Sequence, residues 1–171
     1  APKGLPTDIY AQLIALADKQ RIRTVLDTSG ELLVQGVKAR PFLIKPNCKE
    51  LEYLTGRRLR ELSEIKEAAL QLVSEGIVHV LVSMGEKGML YAAKEKCLFA
   101  KAPKVKALNT VGSGDSAVAA AVMALQQGAS MEDTLKLCVA ISAANTTTLE
   151  NAVIPKEYAA ELLTQIQVTE L

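Results

Sequence analysis

Apolar and polar positions along this chain fall into blocks whose period switches between helix-like and strand-like. Thr7 or Asp8 can cap a helix, and Ile9, Leu13, Leu16 and Ala17 follow at helical spacing. They predict an amphipathic helix to Lys19 with those four residues as its apolar face. Arg23-Thr24-Val25-Leu26-Asp27 reads as a buried strand, ending in Thr28-Ser29-Gly30. A short helix is expected over 31–37 and a second strand over 41–44, closing in Lys45-Pro46-Asn47. Helices are expected over 47–54 and 63–75, the latter capped by Ser63 and stopped by Gly76. A third strand over 78–83 leads into the turn Met84-Gly85-Glu86-Lys87-Gly88, and strands over 89–93 and 96–100 read as a hairpin. Two long helices, about 113–127 and 131–148, come next; Pro155 opens a last helix, and 167–169 reads as a final strand.

Strands alternating with helices imply an α/β fold, a mostly parallel sheet with helices on both faces. In such sheets ligands sit beyond the carboxyl ends of the strands. Three polar clusters fall at those ends: Asp27-Thr28-Ser29-Gly30, Lys45-Pro46-Asn47 and Ser83-Met84-Gly85. The 171 residues carry no internal repeat or low-complexity linker and fit one domain.

Composition narrows the chemistry. A net charge of +1 gives no electrostatic case for nucleic acid, and two Phe, four Tyr and no Trp leave little for base stacking. The most apolar helical run, 117–125, is too short to span a bilayer, and nothing resembles a signal peptide. Cys48, Cys97 and Cys138 are odd in number, widely spaced and without a CxxC pair, as expected of reduced thiols in a cytoplasmic protein. The single histidine, His79, lies inside an apolar strand, which argues against a metal site or a histidine-based triad. The chain lacks an initiator methionine and opens in a Pro- and Gly-containing loop. The expectation is therefore that the N-terminal portion of a longer protein is missing.

One stretch carries chemistry of its own. In Asn109-Thr110-Val111-Gly112-Ser113-Gly114-Asp115-Ser116, two glycines flank one small residue directly before an alanine-rich helix. Convergent backbone amides at a helix N-terminus favour an anion, most often a phosphate. Asp115 is out of place beside a bound phosphate unless it accepts a proton during the reaction, as a base aimed at a hydroxyl nucleophile. Glycine spacing alone is equally compatible with a tight turn that only caps the helix. The stretch is neither the G-x-x-x-x-G-K-[ST] phosphate loop nor the serine-hydrolase elbow, which needs a glycine where Val111 stands.

Taken together these stretches resemble the ribokinase-like (PfkB) carbohydrate kinases, closest to their 1-phosphofructokinase and tagatose-6-phosphate kinase branch. Asn109–Asp115 is similar to the family's D-T-x-G-A-G-D signature, and Lys45-Pro46-Asn47-Cys48-Lys49-Glu50 to its N-x-x-E motif with the preceding Lys-Pro. Leu26-Asp27-Thr28-Ser29-Gly30-Glu31 and Leu54-Thr55-Gly56 also fit, and Ser83–Gly88 resembles the nucleotide-loop pattern S-x-G-x-x-G. The resemblance implies ATP-dependent, Mg²⁺-assisted phosphorylation of a ketohexose phosphate, of the fructose 1-phosphate or tagatose 6-phosphate type. Asp115 would be the base, and the amides of Gly112, Ser113, Gly114 and Asp115 the anion hole. Asn47 and Glu50 would organise magnesium and ATP phosphates, Glu50 through water, with Lys45 neutralising phosphate charge. Ser83, Gly85 and Gly88 would shape the nucleotide loop, and Asn145 would line the adenine site.

Two positions depart from the signature: Asn109 stands where the family usually has Asp, and Ser113 where it has Ala. The longer N-terminal half of the family, with most sugar contacts, has no counterpart here, so the chain reads as the C-terminal, nucleotide-binding part. Two alternatives stay open: a non-catalytic ATP-binding fragment or pseudokinase, and a ribokinase-like kinase acting on a nucleoside or vitamin alcohol. An exposed sheet edge would also make the chain self-associate or form a homo-oligomer.

Overall fold

The computed structural model describes residues 4–94 and 96–171. The first three positions of the expected opening loop, and position 95 of the expected hairpin, lie outside the described residues. Six strands follow one another in the sheet in chain order. The chain divides into two units: one runs up to Val82 and includes 92–94, the other takes Ser83–Tyr91 and Lys96–Leu171.

In the first unit, α1 (Ile9–Lys19), β1 (Val25–Leu26), α2 (Gly30–Lys38), β2 (Leu43–Ile44), α3 (Cys48–Thr55), α4 (Leu62–Ser74) and β3 (His79–Ser83) alternate as the pattern predicts. The strands pair in parallel, with Val25 opposite Leu43 and Leu43 opposite His79. β1 and β2 are shorter than expected because regular pairing stops early. Single bonds from Leu43 N–H to the Thr24 carbonyl (3.1 Å) and from His79 N–H to the Phe42 carbonyl (3.0 Å) extend it. Leu26, Leu43, Ile44 and Val80 are buried, as are Leu33, Leu51, Ile65 and Leu72 from the helices. At Gly36 of α2 a Cβ would lie 2.6 Å from Leu26 Cδ2, so a larger residue there would force the Leu26 side chain to move.

Two expectations here are corrected. The apolar face assigned to α1 is not a buried face: Ile14 is its one buried residue, whereas Leu13 and Leu16 are 51% and 55% exposed. The start of α4 is governed by Glu64 rather than Ser63. The Glu64 carboxylate accepts from the Arg60 and Glu61 amides (2.6 and 2.9 Å), so the helix begins at Leu62. Those two amides also hold the Glu64 carboxyl below its ordinary range.

The second unit contains β4 (Met89–Ala93) as far as Tyr91, β5 (Lys96–Ala100), α5 (Ser113–Gln126), α6 (Met131–Asn145), α7 (Lys156–Gln165) and β6 (Val168–Glu170). β5 and β6 are antiparallel, Phe99 opposite Thr169, which makes the sheet mixed rather than uniformly parallel. α5 buries Ala117, Ala120, Ala121 and Ala124 and packs against α6. Small side chains along this face allow a close approach of the two helices. α6 ends at Asn145 rather than at 148. The hydroxyls of Thr146, Thr147 and Thr148 bond back to the carbonyls of Ala143, Ala144 and Asn145, competing with helical bonds.

Tyr91 and Cys138 are buried in this unit's core; burial raises the Tyr91 hydroxyl and pushes the Cys138 thiol up to about 12. None of the three cysteines forms a disulfide. Among the described residues no helix is long and apolar enough to cross a membrane.

Candidate active site

The glycine turn of the second unit is shaped by Gly112. It takes φ +81°, a left-handed conformation costly for a residue with a Cβ, and α5 starts at the next position. Ser116 N–H bonds the Gly112 carbonyl (2.8 Å), and Ser113 N–H reaches the Thr110 carbonyl (3.3 Å). Among the described residues the amides of Gly112, Gly114 and Asp115 donate to nothing. The helix N-terminus thus keeps several donors together with the positive end of its dipole. Asp115 lies in the first turn of α5; its side chain is exposed and has no hydrogen bond or ion pair among the described residues.

A clasp of side-chain amides holds this turn. Asn145 is wholly buried; its Nδ2 donates to the Val111 carbonyl (3.0 Å), and its Oδ1 accepts from the Ser116 hydroxyl (3.3 Å). Both ends of the amide are therefore used on the turn and on the helix that follows it. Asn109 performs a second tie: its Oδ1 accepts from Val111 N–H (3.0 Å). Its Nδ2 donates to the Leu149 carbonyl (3.0 Å) and to Asn151 Oδ1 (2.8 Å). An aspartate at 109 could not donate either bond, so the departure from the family signature has a use in this chain. The amides of Leu108 and Asn109 both reach the Thr146 carbonyl (2.7 and 3.1 Å), completing the attachment to the end of α6. Spacing in the sequence gives no sign of this clasp, because Asn109, Asn145 and Asn151 are brought onto the turn only by the fold.

The turn 83–88 lies in the same unit and is built differently. Gly85–Lys87 is a single 3₁₀ turn, with the Met84 amide on the Gly88 carbonyl (2.9 Å) and the Gly88 amide on the Gly85 carbonyl (3.1 Å). Gly88 has φ +120° and is buried; a Cβ there would run into the Ala100 carbonyl and lie 2.9 Å from Ala102 N. The close approach that this glycine permits is to the chain's own backbone. Gly85 (φ +60°) has open space around it, and Ser83 is half-buried at the end of β3.

In the first unit the remaining site residues gather at the carboxyl ends of β1 and β2. Lys45 is only 6% exposed and its Nζ lies 3.3 Å from Asp27 Oδ2. Asp27, given no role by the sequence, is thus the counter-charge of the buried lysine. Asn47 and Glu50 form a reciprocal capping box: Asn47 N–H donates to Glu50 Oε2 (2.8 Å) and Glu50 N–H to Asn47 Oδ1 (3.0 Å). Among the described residues no group of three or more His, Cys, Asp or Glu could hold a metal ion directly. Glu50, one of whose carboxylate oxygens already accepts the Asn47 amide, would hold a magnesium ion only as a hydrated one, for which a single nearby carboxylate suffices.

Comparison with known proteins identifies the family. Residues 1–156 match the family described as pfkB family carbohydrate kinase. The 1-phosphofructokinase of Bacillus subtilis (strain 168) is 34% identical over 170 residues, covering 99% of this chain and 55% of the relative. The ATP-dependent 6-phosphofructokinase isozyme 2 of Escherichia coli (strain K12) is 38% identical over 147 residues, 85% of this chain and 48% of that protein. The crystal structure of phosphofructokinase-2 from Escherichia coli in complex with potassium superposes with a TM-score of 0.91 at 34% identity, covering 96% of this chain and 54% of that one. The chain spans about half the length of the curated relatives it matches. With a mixed α/β fold, the glycine turn ahead of α5 and a family match over most of its length, the chain belongs to the pfkB family of carbohydrate kinases.

Proposed function

We propose that this chain supplies the nucleotide-binding and catalytic part of a cytoplasmic kinase that transfers a phosphoryl group from ATP to a hydroxyl of a ketohexose phosphate, of the fructose 1-phosphate or tagatose 6-phosphate type. The observation that carries this reading is the unpartnered Asp115 carboxylate in the same helical turn as unclaimed backbone amides. Asp115 takes the proton of the sugar hydroxyl as that oxygen forms its bond to the γ-phosphorus and the bond to the departing ADP breaks. The amides of Gly112, Gly114 and Asp115 are the donors available to the charge spread over the transferring phosphoryl oxygens, and that of Ser113 joins them only on releasing the Thr110 carbonyl. Within the first unit, Lys45, its charge balanced by Asp27, and the α3 cap with Glu50 are the groups suited to phosphate and metal. Bound magnesium supplies neutralisation of phosphate charge. Asn145 and Asn109 act on the reaction by fixing the turn.

The names of the relatives support a phosphofructose substrate, with the phosphorylated position differing between them. The decisive experiment places these 171 residues in a chimera, in exchange for the matching part of the Bacillus subtilis relative. Turnover of fructose 1-phosphate and ATP is then measured with and without Asp115→Asn. A positioned base predicts a loss of at least ~100-fold in kcat. Near-normal turnover in the variant would sink the assigned mechanism. Calorimetry of ATP binding to the 171-residue chain gives an independent check, because Asp115→Asn should leave nucleotide affinity intact or raise it.

The exposed apolar residues Leu13 and Leu16 on α1 and Val25 on β1 support a further part of the reading, self-association of the isolated chain. Light scattering showing a monodisperse monomer at high concentration would count against it.

A further inference from the structure

The first unit has a concave feature at the amino ends of β1 and β2 and hence at the opposite ends of these strands from Asp27 and Lys45. It is an open surface pocket of about 270 Å³ lined by Asp18, Arg21, Arg23, Thr24, Arg40 and Phe42 together with apolar side chains. Three arginines and a single acidic residue share this lining, and all three arginines are exposed to solvent. None of the three arginines forms a salt bridge among the described residues.

The backbone adds a separate observation. Arg21 and Arg40 occupy the left-handed position just after α1 and α2, at φ +57° and +55°, where glycine is the usual residue. Hydrogen bonds from Arg21 N–H to the Asp18 carbonyl (2.8 Å) and from Ile22 N–H to the Ala17 carbonyl (3.0 Å) fix the first of these ends. The end of α4 does use glycine: at Gly76 a Cβ would stand 2.9 Å from Arg40 Cδ, so that glycine makes room for the arginine stem. Both strained arginines therefore line the same pocket as Arg23.

Attraction to helix C-terminal dipoles does not account for the set. Lys19 and Lys38 already occupy the last turns of α1 and α2. Arg23 follows neither helix end directly; its guanidinium lies 4.7 Å from the Phe42 ring centroid. Phe42 in turn meets the His79 ring edge-on at 4.6 Å. Burial lowers the His79 pKa, and the charges of Arg23 and Lys94 lower it further, so the region carries positive potential.

We propose that this pocket is an anion site for a small phosphorylated metabolite, separate from the glycine turn and not required by the proposed reaction. Arginine's fork of donors suits phosphate oxygens, and three such forks suit a diphosphate or a phosphate ester. The volume lies just below the usual range of small-molecule pockets, which favours a compact occupant over a polymer.

His79 is the chain's only histidine, so its ring resonance is an unambiguous local reporter. Pyrophosphate is titrated into the 171-residue chain and the ring proton followed by NMR, with sodium chloride of matched ionic strength as the control. The expected result is a saturable shift with pyrophosphate alone, and a His79 titration moved to higher pH when the site is full. The double variant Arg23→Gln/Arg40→Gln should weaken the midpoint by at least ~10-fold. Arg57→Gln, which removes a charge paired with Glu67 on the surface, should leave the midpoint within about twofold. A shift reproduced by chloride, no saturable shift at millimolar pyrophosphate, or a midpoint unchanged in the double variant would each overturn the proposal. The wild-type titration decides the matter even if the double variant fails to fold.

Discussion

Two turns of the second unit, 85–88 and 112–115, are both glycine-rich, yet they use glycine for opposite ends. In the first, the Gly88 backbone presses against Ala100–Ala102, and the turn's amides at Met84 and Gly88 are satisfied within the turn. In the second, Gly112 bends the chain so that donors at the head of α5 are left unclaimed, while side chains tie the turn from outside. A glycine pattern states that a backbone comes close to something. Hydrogen-bond accounting states whether that something belongs to the chain.

The largest expected effect is at Gly88. Gly88→Ala forces a Cβ into fixed backbone at a φ that side chains avoid, and should cost about 3 kcal/mol or more in denaturant unfolding. At Gly112 the nearest atom to a Cβ would be Ala152 N at 3.3 Å, so Gly112→Ala should cost only about 1–2 kcal/mol while weakening ATP binding more than Gly88→Ala does. Equal stability losses at both positions, with ATP affinity untouched, would erase the distinction between the turns. Asn145→Ala strands the Val111 carbonyl and the Ser116 hydroxyl in a buried site and should cost about 2 kcal/mol. Asn109→Asp removes two donors and sets a carboxylate against two oxygens, at about 1 kcal/mol in a partly exposed site. Asn109→Ser, which cannot span the same gap, should not restore it.

The smallest effect is a pH dependence set in the first unit. The folded pKa of His79 lies below its ordinary value of 6.5, so the unfolded chain takes up this proton first. Stability is therefore full above the unfolded value and falls as pH drops through it, levelling off below the folded value. His79→Phe should flatten that slope in urea titrations between neutral pH and mildly acid pH. An unchanged slope would mean that another group sets it.

Much of this was legible from the chain. The hairpin strands 89–93 and 96–100 and the starts of α5 and α6 sit where the pattern places them, because Gly88, Gly112 and Ser130 punctuate them clearly. The Asn47/Glu50 spacing announced a helix start, and the structure contains the reciprocal cap. Periodicity could not tell which face of α1 is covered, since Leu13, Leu16 and Ile14 look equally apolar in sequence. The Lys45–Asp27 pair and the Asn109–Asn151 tie were hidden for a different reason. Each joins residues brought together only by the fold, and short-range spacing carries no trace of them.

The buried thiol of Cys138 has a practical consequence. With its ionisation pushed up to about 12, almost none of it is thiolate at neutral pH, and alkylating reagents reach it only when α6 lifts from its neighbours. Its labelling rate is thus a clock for the opening of the helix whose last residue, Asn145, ties the glycine turn. Variants that loosen the turn alone should leave the clock steady, whereas variants that loosen α6 should speed it.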